Sequence, residues 1–306
     1  MVPPVIEPFE PVPAGVPRLD FVVPGFGKCG TTTFCALLAA HPHVFIPEVK
    51  ELWFFNRADY REDWDYLSRA FRDALPGQCL GDASAGAYLS LGEGAATAQA
   101  LARHYPDCRV LILARDPMER LVSSYREMHH SAHLYGLECP FSLEEALDAL
   151  PMLLDDSLYW RCSAPYRAHF PAEQIRVLFF EDFLRDPAGA IREACRHIGV
   201  DPDPLQLPAQ ALHLNAGESK LADTRLLRLL RRYPPIGAWL RGMEEARRER
   251  LLSALWLRRP LGRPGWTEPL RARVRERLRE DAWQFLRHYG KPVDFWPGLG
   301  KPPGSP

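Results

Sequence analysis

The chain has 306 residues, is 46% apolar and 25% charged, and carries a net charge of −1 at neutral pH. That is enough apolar material to bury the core of one large domain or two small ones, and it excludes a disordered polyelectrolyte. Near-neutrality excludes a chain drawn as a whole to nucleic acid.

No apolar run approaches the roughly 18 residues of a membrane-spanning helix, and the N-terminus lacks a basic stretch followed by an apolar one, so a cytoplasmic location is expected. Seven scattered cysteines with no CxxC pair fit reduced thiols and give no zinc spacing.

In chain order, residues 1–17 hold six prolines and no periodicity, which predicts an extended arm over residues 1–18. Short apolar runs then alternate with helical patterns, the signature of βα units and a parallel sheet. Strands are predicted at Leu19–Val23, Val44–Pro47, Leu52–Phe55, Cys79–Asp82, Arg109–Ala114 and Ile175–Phe180. Helices are predicted at Thr31–Ala40, Glu93–His104, Pro117–Ser131, Leu143–Leu150, Leu158–His169 and Pro187–Ile198. Asp116-Pro117-Met118-Glu119 combines an N-cap, a proline at the first helical position and a glutamate able to close a capping box, and Ser142 with Glu145 repeats the pattern. Beyond residue 220 the pattern is helical only, around 224–232, 243–256 and 269–289. The expectation is one α/β domain over residues 19–296, with a central parallel sheet flanked by helices and a helical C-terminal part. A flexible Pro/Gly-rich tail is expected over 297–306.

Only five of the 38 basic residues are lysines, and one of them, Lys28, stands inside a glycine-rich turn. Leu19–Val23 runs through Pro24-Gly25-Phe26-Gly27-Lys28-Cys29-Gly30-Thr31-Thr32-Thr33 directly into a helix. Strand, glycine loop and helix start together aim backbone N–H groups and the positive helix end at an anion. Against the nucleotide-hydrolase pattern G-x-x-x-x-G-K-[ST], Gly25, Gly30 and Thr32 fit, but Thr31 stands where the lysine belongs, and the lysine has moved upstream to Lys28. The helix start therefore offers hydroxyls suited to a single phosphate.

Phe26-Gly27-Lys28-Cys29-Gly30-Thr31-Thr32-Thr33, followed by Leu37-Leu38 and His41-Pro42, resembles the 5′-phosphosulfate loop of sulfotransferases that use 3′-phosphoadenosine 5′-phosphosulfate (PAPS). It is most similar to the carbohydrate-modifying, heparan sulfate-type and bacterial branch. A second block, Leu111-Ile112-Leu113-Ala114-Arg115-Asp116-Pro117 with Arg120, Ser123 and Tyr125, resembles that family's 3′-phosphate block. The resemblance implies a P-loop-like α/β fold and PAPS as co-substrate without metal. It implies donor contacts from Gly27, Lys28, Cys29, Gly30, Thr31, Thr32, Arg115, Ser123 and, through the Asn215–Lys220 stretch, Lys220. Lys28 would stabilise the leaving group. Pro47-Glu48-Val49-Lys50-Glu51-Leu52-Trp53-Phe54-Phe55 resembles the stretch whose glutamate takes the acceptor's proton, which makes Glu51 the base. Asp82 is the second candidate, a histidine of the His129/His130/His133 group a third.

In the block Gly81–Tyr88, Ala83 and Ala85 replace the lysine and proline of the heparan-type enzymes, which weighs against a sulfated glycan. The acceptor is left as a hydroxyl, or an amine, of a carbohydrate, lipid or small metabolite. Residues 225–279 carry 16 arginines against five glutamates, interleaved with tryptophan and leucine. They read as solvated faces of packed helices or as a peripheral contact with an anionic membrane. The rival functions are a P-loop kinase, which would need a cation at position 31, and an anion- or nucleic-acid-binding module without catalysis.

Overall fold

The computed structural model describes residues 11–48, 51–203 and 221–300. The chain divides into two compact units, Met1–Arg115 with Tyr159–Leu214, and Asp116–Leu158 with Asn215–Pro306. The first unit opens with β1 (Phe21–Gly25), α1 (Thr31–Ala39), β2 (Val44–Phe45), α2 (Trp64–Ala70), β3 (Cys79–Asp82), α3 (Gly94–His104) and β4 (Arg109–Ala114). The second unit then contributes α4 (Pro117–Ser131), α5 (Leu143–Ala149) and α6 (Met152–Asp155). The first resumes with α7 (Tyr159–Cys162), α8 (Ala164–His169), β5 (Ile175–Phe179), α9 (Phe180–Arg185) and α10 (Pro187–His197). The second closes with β6 (Leu221–Asp223), α11 (Arg225–Arg232), α12 (Pro234–Arg241), α13 (Glu245–Ala254), β7 (Arg258–Pro260) and α14 (Glu268–His288).

Five parallel strands form the sheet of the first unit in the order β2-β3-β1-β4-β5. All of β1 and all but the first residue of β4 are buried, as expected of strands covered on both faces, whose sequences read as continuous apolar runs. Val22 pairs with Asp82, and the β4–β5 register runs from Val110↔Ile175 to Ala114↔Phe179. Because the strands are parallel, Gly25, Asp82, Ala114 and Phe179 end along one edge. Strands β2 and β3 lie on one side of β1, and β4 and β5 on the other, so the chain changes sides at β1. Open α/β sheets bind ligands at such a switch point.

Several expected elements are corrected. Leu52–Phe55 is not a strand: Glu51 and Trp53 have φ of 68° and 48°, and consecutive Phe54 and Phe55 are both buried instead of alternating. Their rings pack with Tyr60 and Trp64 at centroid distances of 5.3–6.4 Å. The single helix expected over Leu158–His169 is two, α7 and α8, separated at Ser163. Pro165 stands in the first turn of α8, where its missing N–H costs nothing, whereas one continuous helix would carry it inside. The expectation of helices only after residue 220 fails at β6 and β7, which pair antiparallel. Each has three residues, too few for a periodicity to show. Nor does order end at 296: Pro297–Leu299 forms a 3-10 turn that buries Leu299, and the Gly298 amide donates to Asp116 at 3.2 Å.

In the second unit the expected cap of α4 forms, Asp116 accepting from the amides of Met118 and Glu119. Much of the arginine excess is matched internally. Arg231 and Arg258 both meet buried Asp223, at 2.8 and 2.9 Å, while Arg232, Arg263 and Arg273 meet Glu138, Glu119 and Asp148. Leu227, Leu240 and Leu252 form the core beneath. Among the described residues no helix is long and apolar enough to cross a membrane.

Candidate functional site

The turn after β1 is tied to the sheet by the Phe26 amide, which donates to the Leu113 carbonyl of β4 at 2.7 Å. It then reverses through two left-handed residues, Lys28 (φ 71°) and Gly30 (φ 84°), and enters α1. Gly30 answers two demands at once, since a Cβ there would also lie 2.6 Å from the Phe180 ring. At Gly27 a Cβ would stand 3.4 Å from Gly86 Cα, so the turns after β1 and β3 meet backbone to backbone. Gly30 caps α1 without a side-chain acceptor, and no acidic residue occupies the first turn. The positive end of the helix is therefore not countered by a carboxylate of that turn, the condition for receiving an anion. Gly27, Lys28 and Gly30 are half-buried, Cys29 and Thr31 buried, and Thr32 exposed.

Arg115 leaves β4 at the same sheet edge, half-buried, with its guanidinium carbon 4.8 Å from the Phe180 ring centroid. That ring also covers Gly30. Tyr159 makes a second tie: its hydroxyl donates to the Arg115 carbonyl at 2.7 Å and lies 3.6 Å from Cys29 Sγ, and its ring rests on Phe26 at 4.1 Å. Tyr159 is fully buried, so it belongs to the core and at the same time fixes the spacing between the lysine turn and Arg115. Sequence reasoning passed over Phe180 and this part of Tyr159. Their signal, an aromatic directly after a strand and one in a short helix, is indistinguishable from ordinary packing.

Glu51 is half-buried, and the Trp53 indole N–H donates to its Oε2 at 3.0 Å. Asp82, at the end of β3, is wholly buried and accepts from the Ser84 and Tyr88 hydroxyls at 2.6 and 2.9 Å. Burial raises its pKa to about 6 against the two hydroxyl bonds that favour the anion. Folding thus favours the protonated form. The resulting stability is fully present below the unfolded-state value near 4 and is lost as pH rises through about 6. The Asp82→Asn variant cannot titrate, so its melting temperature relative to wild type should climb between pH 4 and 7. Parallel melting curves over that range would contradict the raised pKa.

The remaining candidates are spread more widely. Ser123 is half-buried on α4 in the second unit. Arg120 is buried there and donates to Ser157 at 2.9 Å and to the Leu153 carbonyl, which makes it part of the fold. His129 and His130 are held by Arg228 and Arg258 at 2.8 and 3.1 Å. Lys50 and Lys220 lie outside the described residues, as does the side chain of His133.

A parallel sheet with a glycine turn feeding a helix at its switch point, and an arginine after the adjacent strand, defines an α/β protein with a P-loop-like fold. Residues 93–204 match the family model described as "Sulfotransferase family". The crystal structure of a sulfotransferase from Alicyclobacillus acidocaldarius superposes with a TM-score of 0.64 over 92% of this chain and 100% of that one, at 22% identity, which shows the shared fold. The bifunctional heparan sulfate N-deacetylase/N-sulfotransferase 3 of Mus musculus is 26% identical over 60% of this chain. The chain spans about a fifth of that relative, 22% of its length.

Proposed function

We propose that this protein transfers a sulfuryl group from PAPS to a hydroxyl, or less readily an amine, of a small acceptor. The observation that carries the reading is the pairing, at one sheet edge, of the Lys28 turn with Arg115 through Tyr159 and Phe180. Two cations held at set spacing suit a donor with phosphate at both ends of a nucleoside. The N–H groups and hydroxyls of residues 27–32 take the 5′ end and Arg115 the 3′-phosphate. For Ser123 and Lys220 the assignment rests on the resemblance alone. Lys28 supplies positive charge to the bridging oxygen as the S–O bond to phosphate breaks, and the Glu51 carboxylate takes the acceptor's proton as the new S–O bond forms. No step in this scheme calls for a metal.

Thr31 supports this reading over a kinase. It stands where a triphosphate hydrolase places its lysine, and it is a buried, uncharged side chain. The internal ion pairs of the arginine stretch count against a nucleic-acid module. Buried Ala83 and Ala85 present no cation to a polyanionic glycan, which favours an uncharged carbohydrate, lipid or metabolite. Thermal shift tests the function: 3′-phosphoadenosine 5′-phosphate (PAP) should raise the melting temperature with the logarithm of its excess over Kd, and ATP–magnesium should not. Stabilisation by ATP–magnesium alone would sink the assignment.

Arg115→Ala should weaken PAP binding by about 10–100-fold, since one charge-assisted bond is worth roughly 1.5–3 kcal/mol. Affinity for AMP, which lacks the 3′-phosphate, should stay unchanged in titration calorimetry. An equal loss for both ligands would remove Arg115 from the 3′ site.

A further inference from the structure

We propose that Asp82 positions Glu51, acting through the hydroxyls of Ser84 and Tyr88, which convert one buried carboxylate into two anchors for the segment that follows Glu51. The proposal rests on the reading of Glu51 as the base. It also gives a use to a buried carboxylate that neither the donor site nor the core requires.

The direction of each hydrogen bond follows from chemistry. An ionised carboxylate only accepts. The Ser84 and Tyr88 hydroxyl protons are therefore both committed to Asp82, at 2.6 and 2.9 Å. Their lone pairs are left to accept, and they accept from the Trp53 and Phe55 amides, each at 3.0 Å. Residues 51–54 form no helix or strand, so the amides of Trp53 and Phe55 have no ladder to join, and these hydroxyls stand in for one. The segment needs holding, because Glu51 and Trp53 are both left-handed non-glycine residues. Once Trp53 is fixed at its amide, its indole N–H reaches back to Glu51 Oε2 at 3.0 Å, which sets the rotation of the carboxylate. The anchors are themselves rigid: Asp82 closes β3 beside β1, and Tyr88 is buried while its carbonyl accepts from the Tyr166 hydroxyl at 2.9 Å. Every residue in the relay lies in the first unit. For packing alone, an apolar residue at position 82 would avoid the cost of burying a charge. What the carboxylate adds is direction, since only an acceptor-only group forces both hydroxyls to turn the same way.

The test combines turnover with an observable that does not need turnover. Labelled sulfate transfer from PAPS to a metabolite extract gives the rate. The Trp53 indole N–H resonance, assigned by its loss in Trp53→Phe, reports the contact with Glu51. Ser84→Ala should lower kcat by about 10–100-fold, the order expected when a catalytic group is misplaced by about 1 Å, with PAP affinity unchanged. Ser84→Thr should restore most of the rate. The indole resonance in Ser84→Ala and Asp82→Asn should move toward its position in Glu51→Gln. The double variant Glu51→Gln/Ser84→Ala should be no slower than Glu51→Gln alone, because both act through one carboxylate. Tyr88→Phe breaks the other anchor and keeps the test open should Ser84→Ala fold poorly. A slow Glu51→Gln beside a Ser84→Ala of wild-type speed and unmoved indole signal overturns this proposal alone. A Glu51→Gln variant of wild-type speed overturns the base assignment, and this proposal with it.

Discussion

Replacing Lys28 by alanine should slow sulfuryl transfer by about 10²–10³-fold, the usual loss when one preorganised donor to a developing anion is removed. The charge at issue builds on the oxygen that leaves with the 5′-phosphate, so the deficit should fall on kcat more than on PAP affinity. Arginine should recover only part of the rate, because a planar fork does not present one compact charge at the position of an ammonium. The backbone supplies a control. Lys28 has φ of 71°, in the left-handed region where a Cβ is disfavoured. Glycine at this position should therefore be at least as stable as alanine, the reverse of the ordinary ranking, while both variants are equally slow. Single-turnover sulfate transfer and thermal melts of the two variants check both statements. An alanine variant with full activity would show that the charge on Lys28 is not used.

The strands were legible because a buried parallel sheet writes itself as unbroken apolar runs. Arg109–Ala114 has the observed bounds for that reason, and Pro117–Ser131 does because Asp116 and Pro117 mark its start chemically. What escaped was set by contacts distant in sequence. Leu52–Phe55 has the composition of a strand, yet its amides go to Ser84 and Tyr88, residues that no local pattern connects to it. The pairing of β6 with β7 is similar, held beside the Asp223–Arg258 ion pair across some thirty-five positions of chain. Short elements with such partners carry no periodicity of their own.

The site divides the same way. The lysine turn was readable because glycine, proline and lysine there have local conformational and electrostatic reasons to occur together. Arg115 was readable from its place between a strand and a capped helix. The connection between the two was not, since it runs through Tyr159, which is buried as core, and Phe180, which is half-buried beside Arg115, and no local pattern links either to the turn. The sequence also left two carboxylates competing as base. Burial favours Glu51 as the proposed base: Asp82 is wholly buried, whereas Glu51 is half-buried.

Glu51→Gln should reduce turnover by about 10²–10⁴-fold, the span of a general base, with PAP binding preserved. Asp82→Asn should cost less, about 10–100-fold, although burial perturbs the Asp82 acid. Its pKa is raised to about 6, the sort of value that marks catalytic bases elsewhere. A base must nevertheless reach the proton it removes, and Asp82 is wholly buried with hydroxyls on both oxygens. Glu51 is half-buried and keeps access to an incoming hydroxyl. The pH profiles should separate the two roles. In Glu51→Gln the acid limb of kcat/KM that belongs to the base disappears, whereas Asp82→Asn keeps that limb at a lower plateau. An acid limb that survived in Glu51→Gln and vanished in Asp82→Asn would exchange the two assignments, and would require the sheet edge to open during each turnover.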